Sequence, residues 1–443
     1  MRKQVMHTPI VTLGLSRGNL IGTPAKDTGS AMTDNQQRFR WHPDAQLFAG
    51  ALPVPRTGVR PASRFCAIDA ITTVDALTAL GAALQSGSGF CLYEGIDPSG
   101  LSSEPDQFIT LSGGSSGQPK GILRRQSSWI DSFDTNARLF GYTAQDRIAV
   151  LGRLSHSLAL YGVLESLHLG LDAFALDAVP YRKQAAILAA RDISILYATP
   201  TQLRLLALGT ATEGLPHLRL ILCGGGALDD STAQSIQSLC PNAEIRVFYG
   251  AAETSFITLS GPDTPHGSVG QAYPEVTIQI RDPDGQKTTQ IGEVWVRSPY
   301  LFDRYALGHA NDTRLHSGFL SVGEMGRIDD DGNLFLLGRK TRMVQIADQT
   351  VFPEEIEAHV CASTAVAACA ILPRPDPVRG QRLSAVIEGP ADPDLAAQVQ
   401  QICRDRFGPL IAPKQILFHP ALPLLASGKI DLPQLAKWVE GQT

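Results

Sequence analysis

At 443 residues the chain is long enough for two or three domains and a sizeable core. Hydrophobic residues make up 43% and charged residues 18% of it, and a net charge of −5 gives no electrostatic case for a nucleic-acid partner. No apolar run is long enough for a membrane span, and the N-terminus lacks the apolar stretch of a secretory signal, so a cytoplasmic protein is expected. The seven cysteines are odd in number and form no C-x-x-C pair, which reads as reduced thiols in packed positions. The ten histidines show no metal-binding spacing.

In chain order, residues 1–50 are polar and poor in periodicity and read as a disordered leader. Residues 74–86 have the pattern of an amphipathic helix, and 90–93 that of a strand. From 107 to about 300, short apolar runs (107–111, 148–151, 173–176, 193–197, 218–223) alternate with helical ones (158–169, 183–190, 201–208, 231–239). That alternation predicts βα units and mainly parallel sheets. A β-rich stretch follows over 276–296, with turn chemistry at Asp282-Pro283-Asp284-Gly285. Beyond Gly338-Arg339 come a hairpin (343–351), a helix (353–360), strands (366–372 and 383–387) and two helices (395–406 and 432–439). The proline-rich 373–377 reads as a surface loop. The expected layout is a large α/β domain over 51–338 and a small α+β domain over 339–443.

Six stretches carry chemistry. Ser112-Gly113-Gly114-Ser115-Ser116-Gly117-Gln118-Pro119-Lys120-Gly121 follows a buried strand. Its glycines let backbone N–H groups approach anionic oxygens, its serines add donors, and Lys120 adds a positive charge. On composition alone it also reads as a flexible linker, and it is not a Walker A loop. Cys223-Gly224-Gly225-Gly226-Ala227-Leu228 ends a strand, where bare backbone suits either a ligand or a tight turn. Phe248-Tyr249-Gly250-Ala251-Ala252-Glu253-Thr254 offers a ring to stack on a base and a carboxylate to hold a hard cation. Gly318-Phe319-Leu320-Ser321-Val322-Gly323-Glu324 offers an acid that can accept two hydrogen bonds from a diol. Gly338-Arg339-Lys340-Thr341-Arg342 and Ser427-Gly428-Lys429-Ile430-Asp431, read alone, are solvated basic turns.

Together, and in this order, the six resemble the motifs of the adenylate-forming superfamily, which holds acyl-CoA synthetases, peptide-synthetase adenylation domains and luciferases. The resemblance runs from Thr110 to Asp431. It implies a large α/β adenylating domain with mainly parallel sheets and a β-rich subdomain, followed by a small α+β lid that swings about Thr341. It implies ATP, Mg²⁺ and CoA as cofactors, and an acid-thiol ligase that makes an acyl-adenylate before transfer to CoA. An acyl or peptidyl carrier protein is the alternative acceptor. By that resemblance, Ser112, Gly113, Gly114, Ser115, Ser116, Gly117 and Lys120 hold phosphates, and Gly224, Gly225 and Gly226 border adenine and the acyl pocket. Tyr249 and Gly250 meet adenine, Glu253 holds Mg²⁺, and Glu324 and Arg339 take the ribose. Lys429 bridges the acyl carboxylate and the α-phosphate. His156, in Leu154-Ser155-His156-Ser157-Leu158, falls where CoA ligases place a histidine beside that carboxylate. No counterpart of the amine-binding Asp of peptide synthetases precedes the third glycine run, which favours a simple carboxylic acid.

The chain departs from the pattern in several places. Ala252 and Val322 stand where the family has threonines, and Glu324 where it has an aspartate. Thr341 replaces an acidic or lysine hinge residue, and Ala347-Asp348 replaces a Gly-Gly that lines the pantetheine tunnel. The segment before the phosphate loop is shorter than usual. These departures motivate a further alternative, a degenerate nucleotide-binding protein with a partner-binding role.

Overall fold

The computed structural model describes residues 37–56, 63–113, 119–209, 214–364, 366–425 and 430–442. The architecture is mixed α/β, with a large N-terminal part built on three sheets and a smaller C-terminal part built on a hairpin and one three-stranded sheet. At its centre the strands Glu244–Ala251, Leu220–Cys223, Ile195–Ala198, Arg147–Val150, Asp172–Ala175 and Leu47–Ala49 run parallel side by side. The inner ones, Leu220–Cys223 and Ile195–Ala198, read as unbroken apolar runs because both faces are covered. Helix Ser157–Leu169 covers one face through Leu160, Leu164 and Leu167. Helices Tyr181–Ala190, Pro200–Gly209 and Asp230–Leu239 cover the other through Leu188, Leu203, Leu206 and Ile236. Truncating any one of these buried leucines to alanine is worth about 2–5 kcal/mol of stability.

Residues 37–50, expected as part of a disordered leader, are instead packed into the fold, and residues 1–36 lie outside the described residues. The sparse apolar residues of 37–50 are all used: Phe39, Trp41, Ala45 and Leu47 are buried in the main core. Trp41 lies so close on Gly81 that a Cβ there would come within 2.4 Å of the indole. The strand Leu47–Ala49 then pairs with Asp172–Ala175. Periodicity fails in such a segment because each residue is held by a different partner rather than by a repeating face.

A second, mixed sheet contains the hairpin of Gln107–Gly113 and Pro119–Arg125, whose register sets Ser112 opposite Lys120 and Gly113 opposite Pro119. The third sheet is antiparallel and contains Gly292–Arg297, Glu324–Ile328 and Leu334–Arg339. In the C-terminal part, strands Cys369–Asp376, Gly380–Glu388 and Gln415–His419 pack against helices Pro353–Ser363, Pro393–Ile411 and Leu432–Glu440. Asp392 and Asp431 cap the last two helices through backbone N–H groups.

The proline-rich 373–377, expected as a loop, instead continues the strand Cys369–Asp376 as far as Asp376. This strand is at the sheet edge, and Pro373 and Pro375 are both exposed there. An edge strand tolerates prolines because its outward positions need no ladder N–H.

Candidate functional site

Two strands of the antiparallel sheet place Glu324 directly opposite Arg339. Their side chains pair at 3.1 Å from Nε to Oε1, and Arg339 Nη1 is 3.9 Å from Asp312 Oδ2. Gly323 makes the corner possible. Its φ is +79°, and a Cβ there would come within 2.8 Å of Asp312. The longer acid that replaces the family aspartate has therefore kept its arginine.

Tyr249 and Glu253 come from a sharp reversal between strands Glu244–Ala251 and Ser255–Leu259. Gly250 is required there, since a Cβ would meet the Ser255 carbonyl oxygen at 1.9 Å. The Ala251 N–H donates to Thr254 Oγ1 at 3.0 Å and fixes the turn that carries Glu253. The Tyr249 hydroxyl is buried and has no hydrogen-bond partner among the described residues. Burial pushes that phenol well above its usual range, and the nearby charge of Glu324 adds to the effect while Arg339 opposes it. One ring thus lies within electrostatic reach of both the Glu324–Arg339 corner and Glu253.

Two residues that sequence reasoning missed support this turn. Arg124 is completely buried and donates to the Ala252 carbonyl at 2.5 Å, to Ser255 Oγ at 2.7 Å, and to the Tyr300 carbonyl. Burial pulls its pKa down to about 10, with Glu253 and Asp303 opposing the fall. No local signal marks it, since Arg124 follows the short run Gly121-Ile122-Leu123 and is itself followed by Arg125, as at any polar end of a strand. Tyr305 donates from its hydroxyl to Glu253 Oε1 at 2.8 Å. The same hydroxyl lies 2.8 Å from Thr313 Oγ1, and the Lys120 ammonium is 5.9 Å from the tyrosine ring centre.

Glu253 is 8% exposed, and its second carboxylate oxygen makes no hydrogen bond among the described residues. Those residues contain no group of three or more His, Cys, Asp or Glu arranged for a metal. One hard oxygen donor completed by phosphate oxygens of a bound nucleotide is an ordinary setting for Mg²⁺, so the residues present fit that ion.

On the acyl side, His156 is the N-cap residue of helix Ser157–Leu169 and forms a bridge with Leu111 beside the phosphate-loop strand. Burial lowers its pKa, the charge of Arg153 lowers it further, and Glu94 opposes, so its imidazole is neutral at pH 7. It borders a cavity of about 20 Å³ together with Gly152, Leu158, Ala159, Tyr197, Thr199 and Gln202. That volume holds a water or so. Gly225 and Gly226 adjoin the rim, since a Cβ on either would lie 3.5 Å from Thr199 or 3.7 Å from Pro200. Gly224 differs: the Phe248 ring occupies the space its side chain would need, at 2.1 Å. Its glycine is a packing requirement.

Ser112, Gly113 and Lys120 sit on the facing arms of the phosphate-loop hairpin. Gly114, Ser115, Ser116, Gly117 and Lys429 lie outside the described residues. After Arg339, Lys340 reaches Glu293 at 3.3 Å and Arg342 pairs with Glu357 at 2.7 Å. Glu354 accepts from the Arg339 N–H at 3.2 Å. The glutamates at the start of helix Pro353–Ser363 therefore brace the chain just past the site.

Residues 47–306 match the AMP-binding enzyme family, and 355–429 match the AMP-binding enzyme C-terminal domain. The uncharacterized acyl–CoA ligase YhfT of Bacillus subtilis (strain 168) is 32% identical over 342 residues, which cover 75% of this chain and 68% of the relative. The 2-succinylbenzoate–CoA ligase of Bacillus velezensis is 26% identical over 357 residues, covering 76% and 72%. The solved o-succinylbenzoate CoA synthetase of Bacillus subtilis, in complex with its acyl-adenylate intermediate, superposes with a TM-score of 0.72 at 20% identity, over 85% of this chain and 88% of that one. This last likeness shows the shared fold. The chain belongs to the AMP-binding enzyme family and is an AMP-forming ligase.

Proposed function

We propose that this member of the family activates a small carboxylic acid with ATP, releases pyrophosphate, and passes the acyl group of the resulting acyl-adenylate to the thiol of CoA. The observation that carries the reading is a convergence. Glu253, Glu324 and Arg339 all lie within electrostatic reach of the Tyr249 phenol, whose buried hydroxyl has no hydrogen-bond partner among the described residues, and Glu324 and Arg339 pair with each other. CoA-ligase relatives support the thiol step.

In this reading the Ser112–Lys120 hairpin takes the β- and γ-phosphates, the Tyr249 ring lies under adenine, and Glu324 and Arg339 take the ribose hydroxyls. Glu253 would hold Mg²⁺, which when bound neutralises phosphate charge. The neutral His156 borders the substrate carboxylate without adding charge. Lys429 brings a cation between that carboxylate and the α-phosphate, where two anions must approach. A carboxylate oxygen attacks the α-phosphorus, the bond from that phosphorus to the bridging oxygen breaks, and pyrophosphate leaves with the electron pair. A thiolate then attacks the acyl carbon and AMP leaves. Positioning and charge neutralisation do most of the work.

One observation bears on the thiol step. Ala347 has φ +52°, a left-handed conformation that suits glycine, in the turn of the hairpin Val344–Ile346/Gln349–Val351. It stands where the resembling CoA ligases have a glycine along the pantetheine tunnel. A methyl group there crowds the path of a pantetheine thiol, whether of CoA or of a carrier protein, so it bears on the thiol step as a whole and leaves a carrier protein as the alternative acceptor. Acyl-transfer assays with CoA and with a carrier protein, run side by side after AMP and pyrophosphate formation is established, test both. Acyl-CoA as the product supports the first reading. Transfer to the carrier alone supports the second, and hydrolysis of ATP without either product contradicts both.

A further inference from the structure

Tyr305 belongs to none of the six motifs, yet its side chain bonds Glu253 and lies near Lys120. Its strand, Arg304–Leu307, pairs antiparallel with the phosphate-loop arm Pro119–Arg125, with Tyr305 opposite Ile122 and a register shift just after it. The shift lets the ring sit against the lysine arm, with Lys120 Nζ 5.9 Å from its centre. Phe302 packs edge-on against the ring at 5.0 Å, and the Phe302 N–H donates to the Glu253 carbonyl at 2.9 Å. The segment from 302 to 305 therefore grips Glu253 by its backbone and by its carboxylate.

The hydrogen-bond directions are fixed by counting protons. A phenol has one O–H, and Glu253 Oε1, as a carboxylate oxygen, can only accept it. The contact with Thr313 must then run the other way, from the threonine hydroxyl to the tyrosine oxygen. Thr313 is the neighbour of Asp312, which faces Arg339 at 3.9 Å. One short loop thus joins the ribose corner to the carboxylate corner.

We propose that Tyr305 is a positioning residue for the metal carboxylate. By fixing Oε1 of Glu253 it holds the carboxylate in one rotamer with Oε2 left for Mg²⁺, and Thr313 orients the phenol that does so. The proposal rests on the nucleotide-site reading above. Outer hydrogen-bond partners of this kind typically change metal affinity by about 10–100-fold when removed.

The test is calorimetric titration of the full chain with ATP at graded Mg²⁺, with AMP in EDTA as the metal-free reference, for the parent, Tyr305→Phe and Thr313→Val. For Tyr305→Phe we expect the Mg²⁺ concentration at half-maximal ATP binding to rise about tenfold, with AMP affinity in EDTA unchanged. Thr313→Val, which leaves the phenol in place, should raise it about two- to threefold and keeps the test open if Tyr305→Phe does not fold. An unchanged Mg²⁺ midpoint in both variants overturns the proposal. So does an equal loss of AMP binding in EDTA, which would make the tyrosine merely structural. A parent chain whose ATP binding ignores Mg²⁺ overturns the nucleotide-site reading itself, and is recognisable because it needs no variant.

Discussion

Glu165 and Glu253 are both buried carboxyls of the large N-terminal part, and the protein treats them in opposite ways. Glu165 sits inside the core between helices Ser127–Leu139 and Ser157–Leu169, with both oxygens occupied. Tyr197 donates to it at 2.6 Å and Asn136 at 2.8 Å, Tyr142 lies at 3.4 Å, and Tyr273 closes the network on Asn136 at 2.6 Å. Burial dominates there and lifts its pKa to about 8 despite these donors. Glu253 has a single phenol on one oxygen and, among the described residues, no hydrogen-bond partner on the other. The difference teaches that burial alone does not mark a functional acid. A carboxyl whose valences are all filled from within the fold is architecture, and one half-filled among the described residues, close to Lys120, is the better candidate for a site.

Replacing each glutamate separates the two roles, and the largest expected effect is at Glu253. Glu253→Gln should lower Mg²⁺-dependent ATP–pyrophosphate exchange by about 100-fold or more with little change in melting temperature. Comparable exchange in the variant would erase the distinction. Glu165→Ala should do the reverse. It takes away the acceptor of the Tyr197 hydroxyl and one of the partners of Asn136, leaves a cavity, and should cost about 3 kcal/mol in denaturant unfolding. Activity per folded molecule should stay near that of the parent.

A smaller effect concerns pH. The folded-state pKa of Glu165 is raised, so between the usual glutamate range near 4.5 and about 8 the folded chain holds a proton that the unfolded chain has released. The contribution is fully present below that window and is lost as pH rises through it, on the order of a few kcal/mol. Glu165→Gln should flatten this slope in unfolding midpoints taken from pH 5 to 8.5, and an unaltered slope would place the titrating group elsewhere. Smallest is Ala347→Gly, which relieves a left-handed alanine and should stabilise the C-terminal part by about 0.5–1 kcal/mol. If the methyl group also crowds the pantetheine path, the same change should speed thiol transfer and leave adenylate formation, read by ATP–pyrophosphate exchange, unchanged.

Much of this was readable in the chain itself. The βα alternation follows from apolar runs such as 195–198 and 220–223, which are buried on both faces and so leave a local signature. The order of the six motifs placed Tyr249, Glu253, Glu324 and Arg339 in one functional class before any coordinates, because loops that meet a nucleotide keep short, local patterns. The supports of the site left no such pattern. Arg124 reaches Ala252 and Ser255, and Tyr305 reaches Glu253, across stretches of chain that no local window spans. Neither left a local trace: Arg124 is one of three basic residues in the strand Pro119–Arg125, and Tyr305 lies outside all six motifs. Residues 37–50 and the proline-bearing edge strand were misread for the related reason that tertiary partners, not periodicity, order them.

The central claim is tested most directly by carboxylate-dependent ATP–pyrophosphate exchange against a panel of fatty, aryl and amino acids, with Lys429→Ala beside the parent. The account predicts exchange with one class of simple carboxylic acid and its loss in the variant. No exchange with any acid, despite measurable ATP binding, would contradict it and point to a nucleotide-binding protein that no longer performs the chemistry.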